Sequence, residues 1–230
     1  MSARRRKERD RRRRTQGQNF LVDRTVIQRL TEGFEVADGE LVVEVGAGTG
    51  SLTLPLARAG ARVVAVEVDT VWARRVRQRV ADAGLAASVR VVNTDFRDFS
   101  WPAESYRVVS NAPFGLSTAL LASLLDRPDR GPSRADVVLQ EEVARKRAAQ
   151  PPTTLRSAAW APWWAFSAGE RIDRRAFRPV PMVDAALLTI RRREPPVLPT
   201  WLAPGLAEAL RPAWDPPLPR SIPRRDPRRR

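Results

Sequence analysis

Six short apolar runs, rich in β-branched residues, predict buried strands along the first 193 residues. They lie at 41–45, 62–66, 89–92, 106–110, 136–140 and 185–190. Longer stretches with a helical repeat separate most of them. Strands that alternate with helices in this way are typical of βαβ units. The pattern therefore predicts an α/β fold with a largely parallel sheet.

Two of the intervening stretches have clear helix signals. Asp69 or Thr70 is a suitable N-cap for a helix with four outward-facing arginines. Its apolar stripe consists of Trp72, Val76, Val80 and Ala83. A second helix is predicted to begin at Ser117 or Thr118 and to bury Leu120, Leu121, Leu124 and Leu125. We interpret both stripes as core.

Composition divides the chain into three parts. Residues 1–14 are too charged to pack and are predicted to form a disordered basic arm. Residues 15–193 are predicted to form one domain. Residues 194–230 are rich in proline and arginine, and we expect a short helix at 206–210 and no regular element beyond it, because prolines recur from Pro212 onward.

The net charge of +15 is concentrated at the two ends. Residues 1–14 contribute +7 and residues 211–230 contribute +5. This distribution favours a nucleic-acid partner, although solvated, non-specific tails would give the same count. The chain has no apolar run long enough to cross a membrane and no apolar segment of a signal peptide, so we expect a cytoplasmic protein that binds no membrane.

Cysteine and histidine are both absent from the sequence. Their absence excludes disulfides, thiol nucleophiles, imidazole bases and zinc sites built from nitrogen and sulfur ligands, and we expect no metal. The chemistry must therefore use carboxylates, amides, hydroxyls, aromatic rings, backbone groups or a cofactor.

A glycine-rich loop follows the first predicted strand. Glu44 precedes Gly46, Gly48 and Gly50, which gives an acid-x-G-x-G-x-G pattern. Ser51 stands where a dinucleotide fingerprint requires glycine, and no Gly-Lys-Ser/Thr follows. The remaining pattern is that of enzymes that bind S-adenosylmethionine (SAM). A preceding acid suits the cationic sulfonium and ammonium of SAM better than a pyrophosphate.

Two acids lie at the ends of the next predicted strands. Glu67 is placed to accept the ribose hydroxyls, although NAD enzymes carry an acid at a similar position. Asp95 is placed to accept from the adenine amine of the cofactor, with Phe96 stacking beside it. The alternative for Asp95 is a turn or capping residue.

The fourth predicted strand leads into Asn111, Ala112, Pro113 and Phe114. An exocyclic amine is a poor nucleophile because its lone pair is delocalised into the base. The Asn111 oxygen and a carbonyl of the 112–113 segment would hold its hydrogens, and Phe114 would stack on a flipped base. Alone, the motif also suits an ordinary turn, but it follows a SAM-type loop at the expected strand end.

These motifs resemble the ribosomal RNA adenine dimethyltransferase family, from residue 18 to residue 185. The eight residues 111–118 are most similar to Erm-type enzymes, which methylate N6 of one adenine in 23S rRNA and confer resistance to macrolides. The resemblance implies a Rossmann-like methyltransferase fold with seven strands, SAM as cofactor, 23S rRNA as partner and a monomer. It places Asn19, Leu21, Gly46, Gly48, Glu67, Asp95, Phe96 and Asn111 at the SAM site.

The catalytic group implied by the resemblance is Asn111, Pro113 and Phe114, which would orient the amine for in-line attack on the sulfonium methyl without a general base. Trp163, Trp164 and Phe166 are interpreted mainly as core, with Phe166 the candidate that covers the target base. Ala112 departs from the family, which usually has Ile or Leu there. Two alternatives remain open: a small-subunit rRNA dimethyltransferase and a non-catalytic RNA-binding factor.

Overall fold

The structure is a computed structural model that describes residues 19–111 and 113–214. Ala112 and the charged segments at both ends lie outside the described residues, so the predictions of a disordered arm and of three domains stay predictions. Within the described ranges the strands are β1 (Phe20–Leu21), β2 (Leu41–Val45), β3 (Arg62–Val66), β4 (Val89–Val92), β5 (Arg107–Asn111), β6 (Arg134–Gln140), β7 (Trp164–Ile172), β8 (Phe177–Arg178) and β9 (Ala185–Arg192). The helices are α1 (Arg24–Phe34), α2 (Thr53–Arg58), α3 (Thr70–Asp82), α4 (Ser117–Leu125), α5 (Glu141–Ala148), α6 (Leu155–Trp160) and α7 (Ala203–Trp214).

Seven of the strands form one sheet in the order β4-β3-β2-β5-β6-β9-β7. The first five are parallel, and β9 runs antiparallel to both β6 and β7. The mostly parallel, seven-stranded α/β fold predicted from the sequence is therefore confirmed. Strand order reverses between β2 and β5, and ligands of open α/β sheets bind in the crevice at such a point.

The six predicted strands are all present. The bounds of β2, β3 and β4 agree with the prediction, β5 begins and ends one residue later, and β6 and β9 are longer by two residues. The sequence did not predict β7, because Ser167, Gly169 and Glu170 interrupt its apolar pattern. These residues are tolerated because β7 lies at the edge of the sheet and, among the described strands, pairs with β9 alone.

Hydrophobic clusters cover both faces of the sheet. On one face α4 buries Leu120, Leu121, Leu124 and Leu125, as predicted. Trp163 and Trp164 belong to the same cluster, which confirms their interpretation as core, and their indole nitrogens donate to the carbonyls of Leu198 and Leu125. The cluster on the other face includes residues of α1 and α3.

The predicted helix caps are confirmed for α3. The Asp69 carboxylate accepts from the main-chain nitrogens of Val71 and Trp72 at 2.7 and 3.2 Å. Trp72, Val76 and Val80 are buried as expected, whereas Ala83 is the C-cap and is only half-buried. The stripe is therefore one turn shorter than the sequence predicted.

The C-terminal helix α7 is longer than predicted. It includes 206–210 but begins at Ala203 and continues past Pro212 to Trp214. The expectation that no regular element follows residue 210 is wrong for these four residues. Pro204 is tolerated because the first turn needs no N–H, whereas Pro212 has no N–H to donate to the carbonyl four residues earlier, and the helix ends two residues after it. Among the described residues no helix has the length and apolarity that a membrane crossing requires.

Candidate cofactor and substrate site

A pocket opens at the carboxyl ends of β2, β3 and β5, beside the reversal in strand order. It contains nine of the site residues that the sequence predicted: Asn19, Leu21, Gly46, Gly48, Glu67, Asp95, Phe96, Asn111 and Pro113. The fold brings them together because parallel strands end at one edge of the sheet. Glu44, the acid that precedes the glycines, also lines it, as do Phe20, Thr94 and Leu116, which the prediction left out.

The floor of the pocket is the loop after β2, and it requires glycine. Gly46, Gly48 and Gly50 have φ values of 77°, 51° and 74°. These values lie in the left-handed region, which costs any residue with a Cβ. At Gly48 a Cβ would also lie 2.9 Å from Cε1 of Phe20. The loop is thus shaped for a close approach of chain and ligand.

Phe20 fastens the segment before α1 to this loop. Its ring contacts the indole of Trp72, with ring centroids 4.6 Å apart and planes 51° apart. The main chain of Phe20 pairs with Arg178 in the short sheet of β1 and β8. Sequence reasoning missed this residue as part of the site, although its position between Asn19 and Leu21 was a usable signal.

Glu67 lies at the end of β3 and is only 4% exposed. Its Oε2 accepts from the main-chain nitrogen of Gly48 at 2.8 Å, and its Oε1 accepts from that of Asp69 at 2.9 Å. Burial raises the pKa of Glu67, and these N–H donors offset part of that rise. Each oxygen has a further lone pair, so the carboxylate can still accept from a ligand hydroxyl.

Glu44, the last acid before the glycines, is also buried in the pocket wall. The hydroxyl of Thr53 donates to its Oε2. Burial raises the pKa of Glu44 to about 8, and the nearby charge of Glu67 adds to the rise. Near neutral pH the group is therefore largely protonated, which spares the pocket a second buried negative charge.

Asp95 faces the pocket from the loop after β4. Its carboxylate is held by the Arg97 guanidinium, at 2.9 Å to Nε and 2.6 Å to Nη2. The hydrogen bonds from Arg97 lower the pKa of Asp95, which keeps it ionised. Phe96, next in sequence, is buried and belongs to the core while lining the pocket.

Asn111 ends β5 with its amide in the pocket wall. Its Nδ2 donates to the carbonyl oxygen of Asn19 at 2.9 Å. Its Oδ1 is buried and has no hydrogen-bond partner within residues 19–111 and 113–214. A buried acceptor without a donor is costly in a protein. This oxygen is thus ready to accept from a ligand.

The structure does not bring two predicted residues into the pocket. Phe114 lies in the short 3-10 turn that follows Pro113, but its half-buried ring packs against the core on the α1 side. Phe166 lies on edge strand β7 and pairs with Ile190 of β9. Its ring stacks on that of Trp160, with the ring centroids 6.4 Å apart. That position lies away from the carboxyl ends of β2, β3 and β5, so we leave Phe166 out of the site.

The charged groups of the pocket are all acidic among the residues that the structure describes. They are Glu67 and Asp95, with Glu44 as a third acid that is largely protonated near neutral pH, and no lysine or arginine lines the pocket. A pyrophosphate would meet no countercharge here. The acids, the glycine floor and the free oxygen of Asn111 fit a ligand with cationic and hydroxyl groups, and SAM carries both.

A model of the ribosomal RNA adenine dimethylase family matches residues 9–202. The chain belongs to this family. It is 40% identical over 183 residues to an rRNA adenine N-6-methyltransferase of Corynebacterium diphtheriae, which covers 80% of this chain and 70% of the relative. It is 40% identical over 182 residues to the mycinamicin-resistance protein MyrB of Micromonospora griseorubida, covering 79% of this chain and 56% of the relative.

The dimethylase family also includes relatives named for the small ribosomal subunit. One of them, the ribosomal RNA small subunit methyltransferase A of Leifsonia xyli, is 41% identical over 186 residues, covering 76% of this chain and 65% of the relative. Among solved structures, the 23S rRNA methyltransferase ErmE superimposes with a TM-score of 0.74 at 31% identity, covering 84% of this chain and 78% of that chain.

Membership in the rRNA adenine dimethylase family confirms the fold and the cofactor predicted from the sequence. The family is SAM-dependent, and the pocket residues fit that group. The chain spans between 50 and 70% of the length of the first five curated relatives it matches. The reaction and target of the whole protein are therefore taken up as proposals.

Proposed function

We propose that this protein methylates N6 of one adenine in 23S rRNA with SAM as the methyl donor and thereby confers resistance to macrolide-type antibiotics. The observation that carries the proposal is the oriented amide of Asn111. Because Nδ2 is bound to the carbonyl of Asn19, Oδ1 must be the atom that is left to accept. An acceptor at the end of β5 suits an amine that carries two hydrogens.

The residues that would hold SAM are those of the acidic pocket. Glu67 would accept the ribose hydroxyls, Asp95 would accept from the cofactor's adenine amine, and the glycine floor would lie against the methionine part. When bound, SAM supplies a methyl group activated by a sulfonium. Because burial raises the pKa of Glu44 to about 8, this carboxyl is largely protonated near neutral pH. It would act as a hydrogen-bond donor in the pocket wall and would not add a second buried negative charge.

The chain's own part in the reaction is to hold and align the target amine. Asn111 Oδ1 would accept one amine hydrogen and favour a pyramidal nitrogen, and Pro113 fixes the turn that follows without offering a competing N–H. Since the amine loses its proton after the methyl has moved, no side chain needs to act as a base beforehand. Alignment then supplies most of the rate enhancement.

Phe114 does not line the pocket in which the target amine would lie. Its ring is half-buried outside the pocket lining, so stacking on the base would need the ring to rotate or the base to reach it. Leu116, in the same 3-10 turn, lines the pocket and is 37% exposed. It offers a ready apolar surface at the mouth.

A second candidate is methylation of small-subunit rRNA. The identity to the small-subunit methyltransferase of Leifsonia xyli is 41%, and that to the resistance protein MyrB is 40%. The 23S target is favoured by the structural match to ErmE and by the motif Asn111, Pro113, Phe114, Gly115 and Ser117, which resembles Erm-type enzymes.

The deciding experiment offers the full chain and labelled SAM to naked 23S rRNA and to small-subunit particles in parallel. We expect label in 23S rRNA alone, at an adenine mapped by reverse transcription, and an increased macrolide tolerance of cells that express the protein. Label only in the small-subunit particles would move the protein to the second candidate. RNA binding with no transfer to either would support a non-catalytic factor.

A further inference from the structure

A second cavity lies between α5, α6 and the beginning of β7. Its wall contains Arg147, Gln150, Ser157, Phe166 and Arg193. None of the described residues that line it also lines the acidic pocket. The two cavities therefore differ in charge as well as in place, since two arginines face this one.

Arg147 is held rigidly at this cavity. Its Nη1 donates to the hydroxyls of Thr154 and Ser157, at 3.0 and 3.3 Å. Its guanidinium carbon lies 5.4 Å from the ring centre of Trp160. Thr154 also caps α6 by accepting from the main-chain nitrogen of Ser157 at 3.1 Å. The guanidinium is thus positioned by groups that carry no negative charge.

The charge of Arg147 is uncompensated within the described part of the chain. No carboxylate of those residues lies within 4.0 Å of it, whereas the surface residues Arg127 and Arg171 each have an acidic partner. The charged group that acts on it is Arg156, which is also positive, and this repulsion adds to burial in lowering the pKa of Arg147. Half-burying an unpaired cation costs stability.

Arg193 completes the basic side of the cavity. It is half-buried, and its Nε donates to the carbonyl of Ala161 at 2.8 Å, so its two terminal nitrogens have no hydrogen-bond partner within residues 19–111 and 113–214 and can bind a ligand. Phe166 adds an aromatic wall that rests on Trp160. Planar guanidinium groups bind phosphate oxygens in pairs.

We propose that this cavity binds a backbone phosphate of the RNA substrate through Arg147 and Arg193, as an anchoring site separate from the acidic pocket. The identity of that RNA rests on the proposed function, but the phosphate chemistry does not. The cost of the unpaired cation in the free protein is offset when the phosphate binds. A site of this kind strengthens RNA binding but lowers the stability of the free protein. Removing the cation should therefore weaken RNA binding without lowering the melting temperature.

The test compares Arg147→Gln with Arg62→Gln in the full chain. Both variants remove one positive charge, but Arg62 is paired with Glu104 at 2.8 Å and lies outside the cavity. Binding of a 23S rRNA fragment is measured without SAM over a range of salt concentrations, so that it does not depend on methylation. Melting temperature is recorded for both, with and without sodium pyrophosphate at constant ionic strength.

For Arg147→Gln we expect the affinity for RNA to fall by roughly tenfold or more. We also expect a log-log salt slope that is shallower by roughly 0.7 to 0.9, and a melting temperature equal to or above that of the unmodified protein. Arg193→Gln should weaken RNA binding in the same direction, whereas Arg62→Gln should leave binding within about twofold. Pyrophosphate should stabilise the unmodified protein and not Arg147→Gln.

Equal RNA binding by Arg147→Gln and Arg62→Gln would overturn the proposal, and a lower melting temperature with unchanged binding would assign Arg147 to the fold. If only the pyrophosphate response were lost, the cavity would serve a free phosphate compound and the RNA assignment would be wrong. Failure of the unmodified protein to methylate 23S rRNA would refute the proposed function instead. The two failures can be told apart because RNA binding is measured without SAM and does not depend on methyl transfer.

Discussion

The side chain of Asn111 and the main chain of Asn19 are joined by a hydrogen bond of 2.9 Å from Nδ2 to the carbonyl oxygen. This bond links the end of β5 to the segment before β1, which are 92 residues apart. It fixes the orientation of the amide and leaves Oδ1 as a buried acceptor. The segment that closes the pocket therefore also sets the polarity of its proposed catalytic amide.

Asn111→Ala should reduce the single-turnover rate of methyl transfer by roughly 10²-fold or more at saturating SAM and RNA. The variant removes an acceptor that would act mainly while the amine nitrogen pyramidalises, and loss of a preorganised polar group typically costs that much. SAM affinity, measured separately by calorimetry, should also weaken because Asn111 lines the same pocket. Phe114→Leu is the comparison, with a smaller effect expected on the rate at saturation. A near-normal rate in Asn111→Ala would show that the amide does not align the amine.

Glu67→Ala should weaken SAM binding by roughly 1.5 to 3 kcal/mol, the range for hydrogen bonds to a charged group. The variant also frees the main-chain nitrogens of Gly48 and Asp69, which the carboxylate now accepts from. Calorimetric titration with SAM measures the change, and circular dichroism checks that the variant folds. Glu104→Gln removes an exposed acid and serves as the control. Unchanged affinity in a folded Glu67→Ala protein would contradict the ribose assignment.

Gly48→Ala should cost more than its backbone conformation alone explains. A residue with a Cβ in the left-handed region loses about 1 kcal/mol. At Gly48 the new Cβ would in addition lie 2.9 Å from the Phe20 ring and push it from its place against Trp72. Gly84→Ala provides a matched control, because Gly84 has φ 69° and no atom within 4 Å of its Cβ position. Equal losses of unfolding free energy and of SAM affinity in the two variants would show that Phe20 does not brace the loop.

Most of this pocket could be predicted from the sequence because its strands, loop and acids have local sequence signals. The β-branched run of β2, the glycines after it and the acid that ends β3 are adjacent in sequence to the positions they serve. Parallel strands then carry these residues to one edge without further information. The glycines, Glu67, Asp95 and Asn111 were predicted on this basis and line the pocket, whereas Asn19 and Leu21 were implied only by the family resemblance. Helix caps such as Asp69 followed from the same local rules.

Side-chain relationships across the fold could not be predicted in this way. The buried pair of Arg107 and Asp136, 3.3 Å apart, joins two strands at the other end of the sheet, and no spacing in the sequence announces it. The position of Phe166 likewise depends on β7 being an edge strand. An aromatic residue near basic ones suits either a base-stacking or a packing role, and only the strand order decides where it lies.

Glu44 should make the protein less stable as pH rises from about 4.5 to 8. Burial raises the pKa of Glu44 in the folded protein to about 8, from an ordinary pKa of 4.5. In this window the unfolded chain binds fewer protons, so the free energy of unfolding falls with rising pH, by on the order of a few kcal/mol.

Glu44→Gln keeps an acceptor for the Thr53 hydroxyl and has no proton to lose. Urea denaturation at pH 5, 6.5, 8 and 9 should therefore show the variant gaining on the unmodified protein as pH rises. Glu104→Gln, which changes an exposed carboxyl, should follow the unmodified protein. Parallel profiles for Glu44→Gln and the unmodified protein would mean that Glu44 is already ionised in the folded state, and the pocket would then hold its negative charge beside that of Glu67.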